Sequence, residues 1–453
     1  MHSYAFRLNY DFDDKYLVEV AVRRDGSYVF APENRWGTFP SVSAGWVLSR
    51  ENFLKDVSWL EFLKLRASFG EQGSDNVTAF LYNNTFSKAT NSYVLGGQAY
   101  AQYYADPVYA FRTLTWAHTK TYNVGIDFDI FHHVLTGEID AFYKKTTDSL
   151  EDAGGVYPGS LGNYYPSKSN SGAVDNRGFE ITLNHQLNVT RDFSYHVRGS
   201  FSFARNKILK RKISDNHPNY RGVLGQPVGA RYGFKTLGLF QTQEEIDNYP
   251  IAPSGETLLG DIKYLDVNGD GIISSEHDYV KIGYGQIPEI NFSFNIDLNY
   301  KNFYLTTLWQ GVSHCDYQLQ GVYDSGTTAS TVYTSSFGTG NSPKYLIEEA
   351  WTPEHTNAKY PRLSTVPRFN NAWVSDWWVV NGEYLRLKNI QLGYNVPSHI
   401  LKKTPFSTLN VYVAGSNILT FSHFKYVDPE SPSVSNGFYP QSATYTFGLN
   451  VAF

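Results

Sequence analysis

The sequence predicts an all-β fold, the wall of an antiparallel up-and-down transmembrane β-barrel, and three observations predict it. Segments in which apolar and polar residues alternate strictly recur from one end of the chain to the other. The connections between them alternate between short turns and long loops, the arrangement of an up-and-down barrel in an outer membrane. Aromatic residues make up 16% of the chain, yet mean hydropathy is −0.37. No run approaches the roughly 18 apolar residues a membrane helix needs, so any crossing is by strands.

Taken in order, thirteen strands begin near residues 2, 15, 39, 61, 120, 133, 176, 193, 289, 303, 383, 408 and 443. In the first, Tyr4, Phe6, Leu8 and Tyr10 alternate with Ala5, Arg7 and Asn9. In the fifth, Tyr122, Val124, Ile126, Phe128 and Ile130 alternate with Asn123, Gly125, Asp127 and Asp129. Carboxylates at those positions are costly against a dry core and acceptable against a water-filled lumen. The eighth sets Tyr195, Val197, Phe201 and Phe203 against His196, Arg198, Ser200 and Ser202. The ninth, Ile290 to Tyr300, is the clearest, with Asn291, Ser293, Asn295, Asp297 and Asn299 on its polar side. The last runs from Ala443 to Phe453, long enough to cross a bilayer when tilted, and ends on an aromatic residue.

The short connections carry turn chemistry: Asp13-Asp14, Phe131-His132-His133, residues 188–192 and Lys301-Asn302. Those at 48–60 and 396–407 are moderately longer. Long ones fall between them, at 71–119, 147–175, 207–288, 314–382 and 420–442. With the short turns on the periplasmic side, the last strand runs inward and leaves Phe453 in the periplasm. The first strand also runs inward. An odd number of strands leaves an open edge at the His2 strand, whose unpaired backbone groups lipid cannot satisfy. Met1 also leads directly into that strand, with no export signal between. The expectation is that residues 1–453 are the carboxy-terminal part of a longer barrel, with signal peptide and first strands upstream.

Bulk charge narrows the partners. A net charge of −5 and a pI near 6.2 leave no polybasic footprint, which argues against nucleic acid. The single cysteine, Cys315, cannot form an internal disulfide and fits no metal or redox spacing. There is no nucleophile elbow, no His-Glu-x-x-His helix, no phosphate-cradling loop and no dinucleotide fingerprint, so no enzyme is expected. His132-His133 lie in a short turn and read as a solvated turn.

Several stretches go beyond a generic barrel pattern. They include Arg24-Asp25-Gly26-Ser27, Asn34 through Trp46, Leu63 through Gly70, and Gly260-Asp261-Ile262-Lys263-Tyr264 leading into Asp266 through Gly271. Trp351-Thr352-Pro353-Glu354, Tyr360-Pro361-Arg362, Tyr384 through Ile390, Gly415 through Thr420 and Asp428-Pro429-Glu430 follow. In order and spacing this set resembles the SusC/RagA family of TonB-dependent outer-membrane transporters. The resemblance implies a 22-stranded barrel with an amino-terminal plug, of which these are the last thirteen strands. It also implies a SusD-like surface lipoprotein as lid, the TonB system acting through the plug, and import of oligosaccharides or peptides. The terminal Phe453 resembles the assembly signal that the barrel assembly machinery reads in this class. Alternatives from other classes are a stand-alone outer-membrane porin or surface adhesin, and a non-functional gene fragment.

Two sets of residues are candidates for ligand contact. Asp266, Asn268 and Asp270 with Gly271 supply the first half of a calcium loop resembling an EF-hand. Position twelve is His277, which leaves Asp278 as the closing ligand if the loop bulges; otherwise these residues build a turn. Aromatic residues crowd two long loops, Tyr93, Tyr100, Tyr103, Tyr104 and Tyr109 in one and Trp373, Trp377 and Trp378 in the other. Of these, Tyr100, Tyr103, Tyr104, Trp373, Trp377 and Trp378 are the candidate substrate-stacking residues. The competing reading is that they pack the loops or meet a lid protein.

Overall fold

A computed structural model describes residues 2–453 apart from 85–87, 90–92, 101–102, 105–109, 153–159, 161–167, 213–221, 251–255, 320–341, 366–368, 403, 424–425 and 432–440. Thirteen long strands pair in chain order: His2–Phe12, Tyr16–Gly26, Trp36–Val47, Leu60–Ser74, Ala117–Ile130, Leu135–Asp152, Lys168–Asn188, Phe193–Lys210, Ile290–Tyr300, Phe303–Ser313, Tyr384–Asn395, Thr408–Ser422 and Thr444–Ala452. The predicted strands are thus all present. One start is displaced: the seventh strand begins at Lys168 rather than near 176. Its first turn-distal residues, Ser169, Asn170, Ser171 and Gly172, are small and polar on both faces, so they carry no alternation to read. Among the described residues no helix is long and apolar enough to cross a membrane, which says nothing against strands.

The chain divides into two compact units, residues 1–183 with 204–217 and 223–226, and residues 184–203 with 218–222 and 227–453. In the first unit the register aligns the apolar rows from strand to strand. Leu8 faces Val20, Val20 faces Val42, Val42 faces Phe69, Phe69 faces Tyr122, and Tyr122 faces Tyr143. One position along, Asn9, Glu19, Ser43, Ser68 and Asn123 align in the same way on the other face. A slip of one residue anywhere would send a polar row into the apolar band, so the pattern itself fixes the register.

The second unit repeats the device. Tyr195, Leu298, Leu305, Leu392, Val413 and Phe447 form one row, and His196, Asp297, Thr306 and Gln391 the neighbouring one. No residue of Ile290–Tyr300 is buried. Phe6 is 63% exposed in the first unit and Phe447 76% in the second. Among the described residues no protein layer covers this continuous apolar face, which water would not tolerate. Aromatic residues gather at the turn ends, with Tyr16 stacked on Trp46, Trp59 on Phe131, and Phe303 against Tyr394. That is where an interfacial girdle belongs.

Turn geometry follows from sequence. Asp13 and Asp14 take φ of 55° and 49°, left-handed residues of the three-residue turn between Phe12 and Tyr16, where Lys15 N–H donates to the Phe12 carbonyl at 3.0 Å. Phe131, His132 and His133 are all left-handed too. The Trp59 carbonyl accepts from Phe131 N–H, and Glu61 accepts from His132 N–H, both at 2.7 Å.

Candidate functional site

The motifs that are far apart in the second unit's sequence meet in its loops. Asp261 is fully buried, and its carboxylate accepts from Leu258 N–H at 2.9 Å and from the amide side chains of Asn370 and Asn371 at 3.1 and 2.9 Å. Asn371 in turn accepts from Ile262 N–H at 2.8 Å. Its carbonyl accepts from the Trp378 indole at 2.9 Å. Asp376 accepts from both Thr236 N–H and its hydroxyl, at 3.0 and 2.6 Å. These bonds satisfy polar groups that burial would otherwise leave costly, and they weld Thr236 and residues 258–262 to residues 370–378.

Apolar packing completes this layer. Phe234, Ile262, Tyr264, Ile273, Leu346, Trp351, Tyr360 and Trp378 form one buried core. Gly260 sits at φ 80°, and a Cβ there would fall 2.3 Å from the Trp351 ring. Trp351 N–H bonds to the Tyr360 carbonyl and Arg362 N–H to the Gly260 carbonyl. Tyr249 and Tyr264 are tied at 2.7 and 2.8 Å, and burial pushes both phenols up. The long loops of this unit therefore form a folded layer with its own core.

A second anchor ties a loop to the wall. Arg386, 4% exposed at its side chain, contacts Asp428 at 2.7 Å and Glu430 at 2.9 Å. Lys388 holds Glu430 at 2.8 Å, and Asp428 also accepts from Gln441 N–H at 2.9 Å. Burial opposes the charge on Asp428, but the Glu430 amide and the Arg386 guanidinium outweigh it and hold its carboxyl below the ordinary value. The Tyr317 hydroxyl donates to the Pro429 carbonyl.

The predicted aromatic residues are divided by the structure. Trp373 stacks on Phe234 at 4.8 Å between ring centres, and Trp377 also packs against the loop core. Trp378 lies inside that core at 0% exposure and, in this conformation, offers no face to a ligand. Tyr93 and Tyr100 are backbone partners in a short hairpin, and Tyr103 and Tyr104 pair with Ala89 and Lys88. The side chains of Tyr100, Tyr103 and Tyr104, like the whole of Tyr109, lie outside what is described.

The candidate calcium loop is closed by its own hydrogen bonds. Asp266 accepts from Gly269 and Gly271 N–H at 2.7 and 2.8 Å, and Asp270 from Ile272 N–H at 2.8 Å. Asp278 is buried and accepts from Val267 and Ser274 N–H, each at 2.7 Å, so here it staples the loop. Among the described residues no three His, Cys, Asp or Glu side chains converge as a metal site requires. Phe453 is 85% exposed, its ring edge against Phe406 at 5.4 Å.

The first unit carries a groove of about 540 Å³ on the side of its polar row, lined by Asn9, Glu19, Ser43, Lys64, Arg66 and Asn123 together with apolar residues such as Leu17. Arg66 there binds Asp127 at 2.8 Å and Asp140 at 2.6 Å. Sequence reading set Asp127 among the polar residues of its strand but did not find its arginine, since the pairing depends on strand neighbours and not on spacing. Asp261, Arg386 and their partners were missed as functional groups as well. Their signal was their presence within the quoted motifs.

No protein-family model matches the chain. Among curated proteins it is 31% identical over 480 residues to TonB-dependent receptor P26 of Formosa agariphila, covering 100% of this chain and 46% of that protein. It is 29% identical over 471 residues to TonB-dependent receptor SusC of Bacteroides thetaiotaomicron, covering 100% and 43%. The chain thus spans about half the length of the curated relatives it matches. Among solved structures, the RagAB peptide transporter aligns with a TM-score of 0.75 at 22% identity, over 100% of this chain and 47% of that one. At that identity the likeness shows the fold.

Proposed function

From a chain related along its whole length to TonB-dependent receptors of the SusC/RagA kind, we propose that these residues form barrel wall and external loops of an outer-membrane, TonB-dependent importer. The observation that carries the reading is the uncovered apolar band of each unit, backed by a polar face. The proposed cargo is an oligosaccharide or a peptide, taken up with a SusD-like lipoprotein over the loop layer. The relatives are about twice as long, so the proposal assigns the plug, the TonB contact and the remaining strands to sequence beyond these residues. The short turns and Phe453 are placed in the periplasm, the folded loop layer outside. The relatives are named as receptors and the reading includes no catalytic step.

The test is fractionation of cells making the protein, followed by electrophoresis with and without heating. A folded wall gives outer-membrane localisation and heat-modifiable migration, and deletion of tonB abolishes uptake of the cargo. A water-soluble monomer without detergent overturns the reading. Uptake that persists without TonB favours a porin instead.

A further inference from the structure

Above the apolar band of the first unit, on the same face, the strands Leu60–Ser74, Ala117–Ile130 and Leu135–Asp152 end in charge. The row Phe69, Tyr122, Tyr143 is followed, two residues nearer the long loops, by Glu71, Lys120 and Lys145. Lys120 and Lys145 are direct cross-strand partners, and both are exposed. Like charges so placed repel across the ladder. The one carboxylate in that row, Glu71, is held by His118 at 2.8 Å. Among the described residues neither lysine forms an ion pair. Just beneath them Tyr122 and Tyr143 lie 6.4 Å apart between ring centres.

We infer that Lys120 and Lys145 form a seat for the phosphate of a membrane lipid, with its acyl chains along Tyr122, Tyr143, Val124 and Ile126. The inference rests on the membrane reading above. Two ammonium groups stand side by side at the upper border of a lipid-facing surface, and Glu71, opposite Lys120, leaves that row one net positive charge. The molecules that border supplies are lipids, whose phosphates sit at headgroup depth while their tails cover the apolar band. A phosphate between the two lysines removes their repulsion and satisfies both donors. Arg24 lies on the same face near its loop end, 5.4 Å over the Trp36 ring, and extends the cationic border.

The experiment is native mass spectrometry of the detergent-extracted protein with bisphosphorylated lipid A, for the unaltered chain, the double variant K120Q/K145Q and the charge-keeping K120R/K145R. Heat-modifiable migration of each is checked first. The expected result is lipid retention reduced roughly tenfold or more in K120Q/K145Q, retention kept in K120R/K145R, and weak binding of dephosphorylated lipid A to all three. Millimolar inorganic phosphate should not displace the lipid, since it lacks the tails. Equal retention by folded K120Q/K145Q overturns the lipid seat and leaves the barrel reading standing. An unaltered chain that never enters a membrane overturns both.

Discussion

Arg66 reaches Asp140 across the bare backbone of Gly125, with its two terminal nitrogens 2.6 and 2.7 Å from the two carboxylate oxygens. Gly125 lies between them in register, opposite Arg66 on one strand and Asp140 on the other. A Cβ at Gly125 would fall 2.7 Å from both the guanidinium carbon and the Asp140 oxygen. The glycine is therefore the space through which a bidentate pair spans three strands. Replacing it by valine should cost about 1–3 kcal/mol through overpacking. Arg66→Met should cost about 1–2 kcal/mol, since the groups are partly exposed. In a membrane-refolding titration the two changes should be less than additive, because each breaks the same pair.

The facing of the wall can be tested at adjacent positions. Phe294 stacks on Trp309 at 5.7 Å, while Asn295 donates to Asp297 at 2.7 Å on the polar side. Phe294→Arg should cost roughly 2–4 kcal/mol near the bilayer midplane, and Asn295→Arg little. Equal costs would refute the assignment of faces.

The loop layer should be separable from the wall. Gly260 has a left-handed φ and no room for a methyl beside Trp351. Gly260→Ala should destabilise that layer by about 1–3 kcal/mol. Limited proteolysis should show faster cleavage within residues 234–378, while heat-modifiable migration of the wall stays unchanged.

Acid should release the last loop. The Asp428 carboxyl is held below its ordinary value in the folded protein. Its contribution is therefore complete above the unfolded value of about 3.9 and is lost as pH falls through the lower folded one. Hydrogen exchange at Asp428 to Ser431 should be protected at neutral pH and rise below about pH 4. Asp428→Asn should raise exchange at neutral pH and flatten that dependence.

The wall was legible in the sequence because a strand with lipid on one side and water on the other must alternate, as Leu8 to Phe12 and Phe292 to Tyr300 do. Legibility ended where that boundary ended. The Lys168 end of the seventh strand alternates nothing. The loop core was hidden for a different reason: Asp261 and Asn371 are 110 residues apart, and no local pattern announces such a pair. Trp378 illustrates the limit, since an aromatic side chain in a long loop reads alike whether it faces a ligand or, as here, the interior.

The central claim is that one face of these strands meets hydrocarbon and the other water. It is tested most directly by placing a spin label in turn at Thr121, Tyr122, Asn123, Val124 and Ile126, with Cys315, the native cysteine, buried. Accessibility to oxygen and to a water-soluble nickel complex is then measured in bilayers. The account predicts a two-residue period, with labels at 122, 124 and 126 accessible to oxygen and those at 121 and 123 to nickel. Uniform nickel accessibility at all five positions would contradict it.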